Sequence, residues 1–138
     1  MKQIDIYNKY KKEYKEYVVL IISGIFCNTY NYDIGVMHKI FNYKIKTNNN
    51  IFSVGFPKES INTICFKLEQ YNINYIVING DEIIDKYKSD NNRYNEYEID
   101  FNRLLYINNR INNIYNKLNN NIFSSDIENI LLNIEKLI

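Results

Sequence analysis

The chain has 138 residues, which is enough for one domain with a single hydrophobic core. Hydrophobic residues make up 46% of the chain and aromatic residues 15%, so it is too apolar to be disordered. The formal net charge of +1 argues against strong autonomous binding of DNA or RNA, because nucleic-acid binders normally carry an excess of basic residues.

The first elements predict an α/β domain. Residues 4–17 carry apolar side chains at helical spacing and predict an amphipathic helix with a Lys- and Glu-rich outer face. Residues 17–23 (YVVLIIS) predict a central strand, and the chain continues after Gly24 as a second extended segment through Tyr30. Asp33 is the expected N-cap of a short helix that ends at Phe41.

The next elements complete a sheet. Residues 43–46 and 51–55 predict strands on either side of an Asn-rich turn at residues 47–50. Residues 59–71 predict a helix, residues 75–79 a strand, and residues 82–87 an edge strand. This alternation is typical of an α/β fold with a crossover connection. The sequence therefore predicts a small mixed β-sheet flanked by helices, in a domain that covers residues 1–88.

Residues 89–138 predict a C-terminal helical hairpin packed on that domain. From residue 93, side chains spaced alternately three and four apart form a seam: Tyr94, Tyr97, Phe101, Leu104, Asn108, Ile111, Tyr115 and Leu118. Residues 119–121 predict a turn, and a capping box beginning at Ser125 opens the last helix.

The seam has two interpretations. In a parallel dimer, the single polar residue Asn108 would fix the register and the number of partners. In an intrachain hairpin, the same stripe packs on the last helix or on the sheet. Because Leu105, Ile107 and Ile114 make the apolar face wider than a coiled-coil seam, the sequence favours intramolecular packing. The exposed remainder of that face still allows a homodimer through the C-terminal helices.

Two glycine–aromatic motifs follow apolar strands: residues 24–28 read GIFCN and residues 53–57 read SVGFP. Together with the order of the elements around them, they resemble the N-terminal, mismatch-recognising domain of the MutS family of DNA repair proteins. That family has glycine–aspartate–phenylalanine–tyrosine–glutamate at the first place and alanine–glycine–(phenylalanine or valine)–proline at the second. The resemblance covers roughly residues 10–79 and implies a fold like that of the first MutS domain.

The resemblance implies a DNA-binding site centred on Phe26. The family's phenylalanine wedges against a mispaired or unpaired base, and Phe26 falls at that position. Asn28 stands where the family has the glutamate that hydrogen-bonds the base, and an amide can still bond a base edge. The alternative interpretation is that the Phe26 side chain points inward from a strand and serves only the core.

Several lysines are candidates for phosphate contacts around such a wedge: Lys11, Lys12, Lys15, Lys39, Lys44 and Lys46. The alternative interpretation is a solvated face, which the interspersed Glu13 and Glu16 favour. The predicted DNA-binding residues are therefore Phe26, Asn28, Lys39, Lys44 and Lys46.

The leading functional expectation is a standalone, non-enzymatic DNA-recognition module that binds irregular duplexes weakly, with a protein partner supplying affinity. The alternative is a protein-interaction or structural module that kept the fold and lost DNA contact. We expect no catalytic residues, metal site or cofactor, because His38 has no ligand partner nearby, the two cysteines are far apart, and the chain has no phosphate-binding GxxxxGK[ST] motif. Without a signal peptide or a bilayer-length apolar run, the chain is expected to be cytoplasmic and to have no membrane partner.

Overall fold

The computed structural model describes residues 2–138, and within them a six-stranded mixed sheet forms the centre of the fold. The strands are β1 (Val18–Ser23), β2 (Phe26–Tyr30), β3 (Lys46–Asn48), β4 (Ile51–Pro57), β5 (Tyr75–Asn79) and β6 (Glu82–Tyr87). Their order is β3-β4-β2-β1-β5-β6, with β1 and β5 parallel and the other neighbouring pairs antiparallel. The predicted α/β class with a small mixed sheet is confirmed.

The α-helices of the described residues are α1 (Gln3–Glu13), α2 (Ile34–Phe41), α3 (Ile61–Gln70), α4 (Phe101–Asn120) and α5 (Ile127–Leu137). On one face, Ile6 and Tyr7 of α1 pack in a buried cluster with Val19, Ile21, Ile76 and Ile78. On the other face, Tyr43, just after α2, stacks on Phe56 with ring centroids 6.0 Å apart. Alternation along the inner strands thus buries apolar side chains on both faces of the sheet.

The described chain divides into two compact units, Met1–Phe101 and Asn102–Ile138. The sequence analysis set the boundary after residue 88, where the composition turns polar. In the structure, residues 88–100, here called the strap, lead from β6 to α4 and belong to the first unit. The Ser89 N–H donates to Oδ1 of Asn74 at 2.7 Å, and the Asn92 amide donates to the Glu16 carbonyl at 2.8 Å.

The predicted long helix begins at Phe101 rather than at residue 93, so Tyr94 and Tyr97 do not belong to it. Tyr94 belongs to a short 3₁₀ turn in the strap, and its side chain is fully buried in the first unit. Its hydroxyl donates to Oδ1 of Asp33 at 2.6 Å. A tertiary hydrogen bond to a buried carboxylate therefore removes this residue from the helical seam that its spacing suggests.

Other element boundaries also differ from the sequence prediction. α1 ends at Glu13, and β3 starts at Lys46 rather than at residue 43. The β3–β4 turn is formed by Asn49 and Asn50, with φ angles of 50° and 61°, as a two-residue hairpin turn requires. The capping box at Ser125 is wrong: the N-cap of α5 is Asp126, and no side-chain hydrogen bond caps the helix.

Candidate nucleic-acid interface

Phe26 and Asn28 lie on the same face of β2 and on the side of the sheet that α1 only partly covers. Successive residues of a strand point to opposite faces, so Cys27 and Thr29 are buried beneath α2 and α3 while Phe26 faces the other way. The Phe26 side chain is 50% exposed. At the far end of the strand, the Tyr30 ring meets Tyr7 of α1 edge-on, with centroids 5.6 Å apart. The start of β2 is thus the open end of this face.

Gly55 makes room for the Asn28 side chain. The two residues are directly paired across β2 and β4. A Cβ atom at Gly55 would lie 2.5 Å from Oδ1 of Asn28, so any larger residue would displace the amide. Gly55 itself is exposed, which leaves backbone open beside a half-buried amide group. Phe26, Asn28 and Gly55 together form what we call the β2–β4 face.

The predicted lysines do not all reach this face. Lys46 pairs with Ser53, which in turn pairs with Tyr30, so Lys46 lies on the same side of the sheet as Phe26. Lys39 lies on α2 over the opposite side, and its ammonium is 3.4 Å from the Glu98 carbonyl oxygen. Lys44 is exposed in the connection between α2 and β3. Lys46 therefore shares a side of the sheet with Phe26 and Asn28 but lies level with Tyr30, at the other end of β2 from Phe26, whereas Lys39 does not share that side.

Lys58 is a cation near Phe26 that the sequence analysis did not single out. Phe26 is paired with Pro57, and the Lys58 N–H donates to the Ile25 carbonyl at 2.8 Å. This bond holds the chain after β4 against the start of β2. Only the register of β2 against β4 brings Lys58 beside Phe26, so the linear sequence gave no signal beyond its position after the Gly-Phe-Pro motif.

Asp33 lies beyond the end of β2, away from Phe26, and is the centre of a buried polar cluster. The carboxylate is fully buried and accepts four hydrogen bonds. Oδ2 accepts from the Tyr7 hydroxyl at 2.9 Å and from the Val19 N–H at 3.1 Å. Oδ1 accepts from the Lys11 ammonium and from the Tyr94 hydroxyl, each at 2.6 Å. Asp33 occupies the predicted N-cap position of α2, but its side chain bonds these distant groups and makes no capping hydrogen bond.

The hydrogen-bonding groups of the cluster bond one another, which indicates a structural role. The Lys11 ammonium also donates to the Tyr17 carbonyl at 2.6 Å and to the Tyr94 hydroxyl at 3.1 Å, so its three N–H groups all have acceptors. Lys11 is buried, and its predicted role as a surface phosphate contact is wrong. Burial, and then the charge of Asp33, raise the pKa of the Tyr7 and Tyr94 hydroxyls. Both phenols therefore stay protonated as donors.

A pocket of about 590 Å³ opens beside this cluster, between α1 and the strap. Lys12 and Lys15 line it together with Tyr32 and Glu98. Tyr32 lies two residues after the end of β2, whereas Phe26 is the first residue of that strand. Lys12 and Lys15 thus lie towards the opposite end of β2 from the wedge candidate, and the structure does not bring them to the β2–β4 face.

The two cysteines are buried and free. Burial raises the pKa of Cys27 to about 12 and that of Cys65 to about 11. A thiol that stays protonated is a poor nucleophile and a poor metal ligand at neutral pH. Within residues 2–138, no three His, Cys, Asp or Glu side chains come together as a metal site, and no helix has the length and apolar character of a membrane span.

These buried acids predict a loss of stability at alkaline pH. Above about pH 9, an unfolded chain releases protons from its thiols and phenols that the folded chain retains. The free energy of unfolding is therefore expected to fall by up to about 1.4 kcal/mol per pH unit for each such group. Urea unfolding between pH 7 and pH 11 measures this slope, and Cys27→Ala should make it shallower. A free energy of unfolding that stays constant over this range would contradict the expectation.

Comparison of the chain with family models and with curated proteins found no match. The likeness to the MutS mismatch-recognising domain therefore depends on the two motifs and on the order of the elements.

Proposed function

We propose that this protein is a non-enzymatic DNA-recognition module that reads irregular base pairs through the β2–β4 face. The observation that carries the proposal is the half-exposed ring of Phe26 at the open end of that face. An apolar ring inserted at a base step partly unstacks it, which costs least where pairing is already defective. Asn28, two residues along the same strand, contributes an amide that can pair with a base edge.

Two further features support the proposal. Gly55 carries no side chain, so the Asn28 amide can lie across it on the face that Phe26 shares. Lys46 is exposed on the same side of the sheet, and Lys58 follows the strand end paired with Phe26. With about two cations available, phosphate contacts contribute little, and the logarithm of the affinity should fall with the logarithm of salt concentration with a slope of about −2. Binding is therefore weak and depends on a partner for affinity.

Fluorescence anisotropy at low salt tests the proposal. The labelled duplexes carry a single mismatch, a one-base bulge or no defect. We expect tighter binding to the two defective duplexes, and we expect Phe26→Ala to remove most of that preference. Stacking of an aromatic side chain on a base contributes about 1–3 kcal/mol, so the loss should be about five-fold or more.

Phe66→Ala is the matched control, because Phe66 is a phenylalanine of similar exposure, 61%, on α3 over the other side of the sheet. It should leave the preference intact. Lys46→Ala should weaken binding to every duplex alike and reduce the salt slope by about 1. If Phe26→Ala and Phe66→Ala behaved alike, or if the protein bound no duplex, the proposal would be wrong.

A second candidate function is a protein-interaction module, and a different observation favours it. Neither α4 nor α5 contains a buried residue, and both carry large exposed apolar side chains. Such a surface is typical of a protein–protein interface. Under this alternative, substitutions of the exposed apolar residues on α4 and α5 abolish binding of the protein partner, whereas Phe26→Ala leaves that binding unchanged.

A further inference from the structure

The C-terminal unit exposes more apolar surface than a helical hairpin can enclose. Large apolar side chains between 40% and 62% exposed lie on both of its helices: Ile107, Ile111, Ile114, Tyr115, Ile130 and Leu131. The groove between α4 and α5 is lined mainly by isoleucine and leucine, including Ile114, Leu118 and Ile130. The pattern is that of a helix pair prepared to bury a shared face.

The small size of the C-terminal unit makes the exposure of its apolar side chains more significant. A unit below about 40 residues usually needs a disulfide, a metal or oligomerisation for stability, and Asn102–Ile138 falls below that length. Both cysteines of the chain lie in the first unit. In the described part of Asn102–Ile138, no cluster of side chains can hold a metal. Oligomerisation is the third of these devices.

The charges of the two helices are complementary. The only charged residues of α4 are the cations Arg103, Arg110 and Lys117, which recur every seven residues and so form one stripe. Arg110 lies within one turn of both Ile107 and Ile114, at the border of the apolar face. On α5, the carboxylates Glu128 and Glu135 are also seven residues apart and lie on either side of Leu131.

We propose that two copies of this chain associate through their C-terminal hairpins into a four-helix bundle. In this bundle each α4 lies between the α5 of its own chain and the α5 of the other copy. The arrangement covers the exposed isoleucines and leucines, as the core of a four-helix bundle does. It also sets every cationic stripe beside helices that carry carboxylates, whereas contact between the two α4 helices would bring like charges together. The dimer does not depend on DNA binding by the β2–β4 face.

Sedimentation velocity of the full chain, over a wide range of protein concentration, tests the proposal. We expect the mass of a dimer. Ile111→Asp would bury an unpaired charge in the bundle and should raise the dimer dissociation constant by about a hundredfold or more. Asn109→Asp adds the same charge at an exposed position on the polar side of α4, away from the cationic stripe, and should leave the dimer intact.

Charge reversal tests the arrangement itself. A chain that carries Arg110→Glu, Lys117→Glu, Glu128→Lys and Glu135→Lys together keeps opposite charges on α4 and α5, both within its hairpin and between two copies of itself, so it should form a dimer as the wild type does. Mixed with the wild-type chain, it should form no heterodimer, because each α4 would then meet an α5 of like charge from the other copy. A wild-type chain that stays monomeric, or a dimer that persists in Ile111→Asp, would overturn the proposal. Heterodimers between the charge-swapped chain and the wild type would overturn the α4–α5 pairing between copies.

Discussion

Asp33→Ala is expected to lower the free energy of unfolding by about 3–5 kcal/mol, which is a large part of the stability of a small domain. The substitution leaves the buried Lys11 ammonium without its counter-charge. It also removes the acceptor of two tyrosine hydroxyls and of the Val19 N–H. Breaking one partner out of a buried ion pair is costly because the other charge remains buried and uncompensated. Urea unfolding monitored by circular dichroism gives the value.

Asp81→Ala is the matched control, because Asp81 pairs with Lys9 at 3.0 Å but both side chains are more than half exposed. It should hardly change the urea midpoint. The double variant Lys11→Met with Asp33→Ala should be destabilised by less than the sum of the two single variants, since it removes both buried charges. If Asp33→Ala were as mild as Asp81→Ala, the cluster would not stabilise the fold.

Gly35→Ala is expected to cost about 1–3 kcal/mol, the usual penalty for adding a methyl group to a packed interior. A Cβ atom at Gly35 would lie 2.5 Å from Cγ2 of Ile99 and 2.7 Å from the carbonyl oxygen of Tyr97. The second contact is with backbone, so side-chain rotation cannot relieve it. The strap must therefore move away from α2, which should also raise hydrogen exchange at the strap amides that are bonded to Asn72 and Asn74.

Gly55→Ala provides the comparison. There the added Cβ meets only the end of the Asn28 side chain, which can rotate. We expect a smaller loss of stability than for Gly35→Ala, with the change confined to the Asn28 amide signals in NMR spectra. Equal losses for the two variants would show that the strap does not pack closely on Gly35.

Most of the strands were predictable because their signal is local. The β-branched run of β1 and the asparagines of the β3–β4 turn determine their own conformation over a few residues. The role of Asp33 was not predictable in this way. Its partners Tyr7, Lys11 and Tyr94 lie 26, 22 and 61 residues away along the chain. No local pattern indicates such distant contacts, so helix capping was the only role that the neighbouring residues predicted.

The site was only partly predictable for the same reason. Phe26 and Cys27 are neighbouring apolar residues, and either could have been the one that points inward. The choice depends on the register that pairs Cys27 with Phe56 in the buried layer. The same register places Lys58 beside the start of β2, and together with the β3–β4 register it puts Lys46 on the sheet face that Phe26 shares. Lys39 is on the other side because α2 covers the opposite face of the sheet.

The most direct test of the proposed function is the fluorescence of 2-aminopurine placed at the defect of a mismatched duplex. Stacking on neighbouring bases quenches this base, so a side chain that wedges into the step raises its emission. We expect saturating wild-type protein and Phe66→Ala to raise the emission, and Phe26→Ala to leave it near that of the free duplex. An unchanged emission with the wild-type protein, or an equal rise with Phe26→Ala, would contradict the base-wedge function of Phe26.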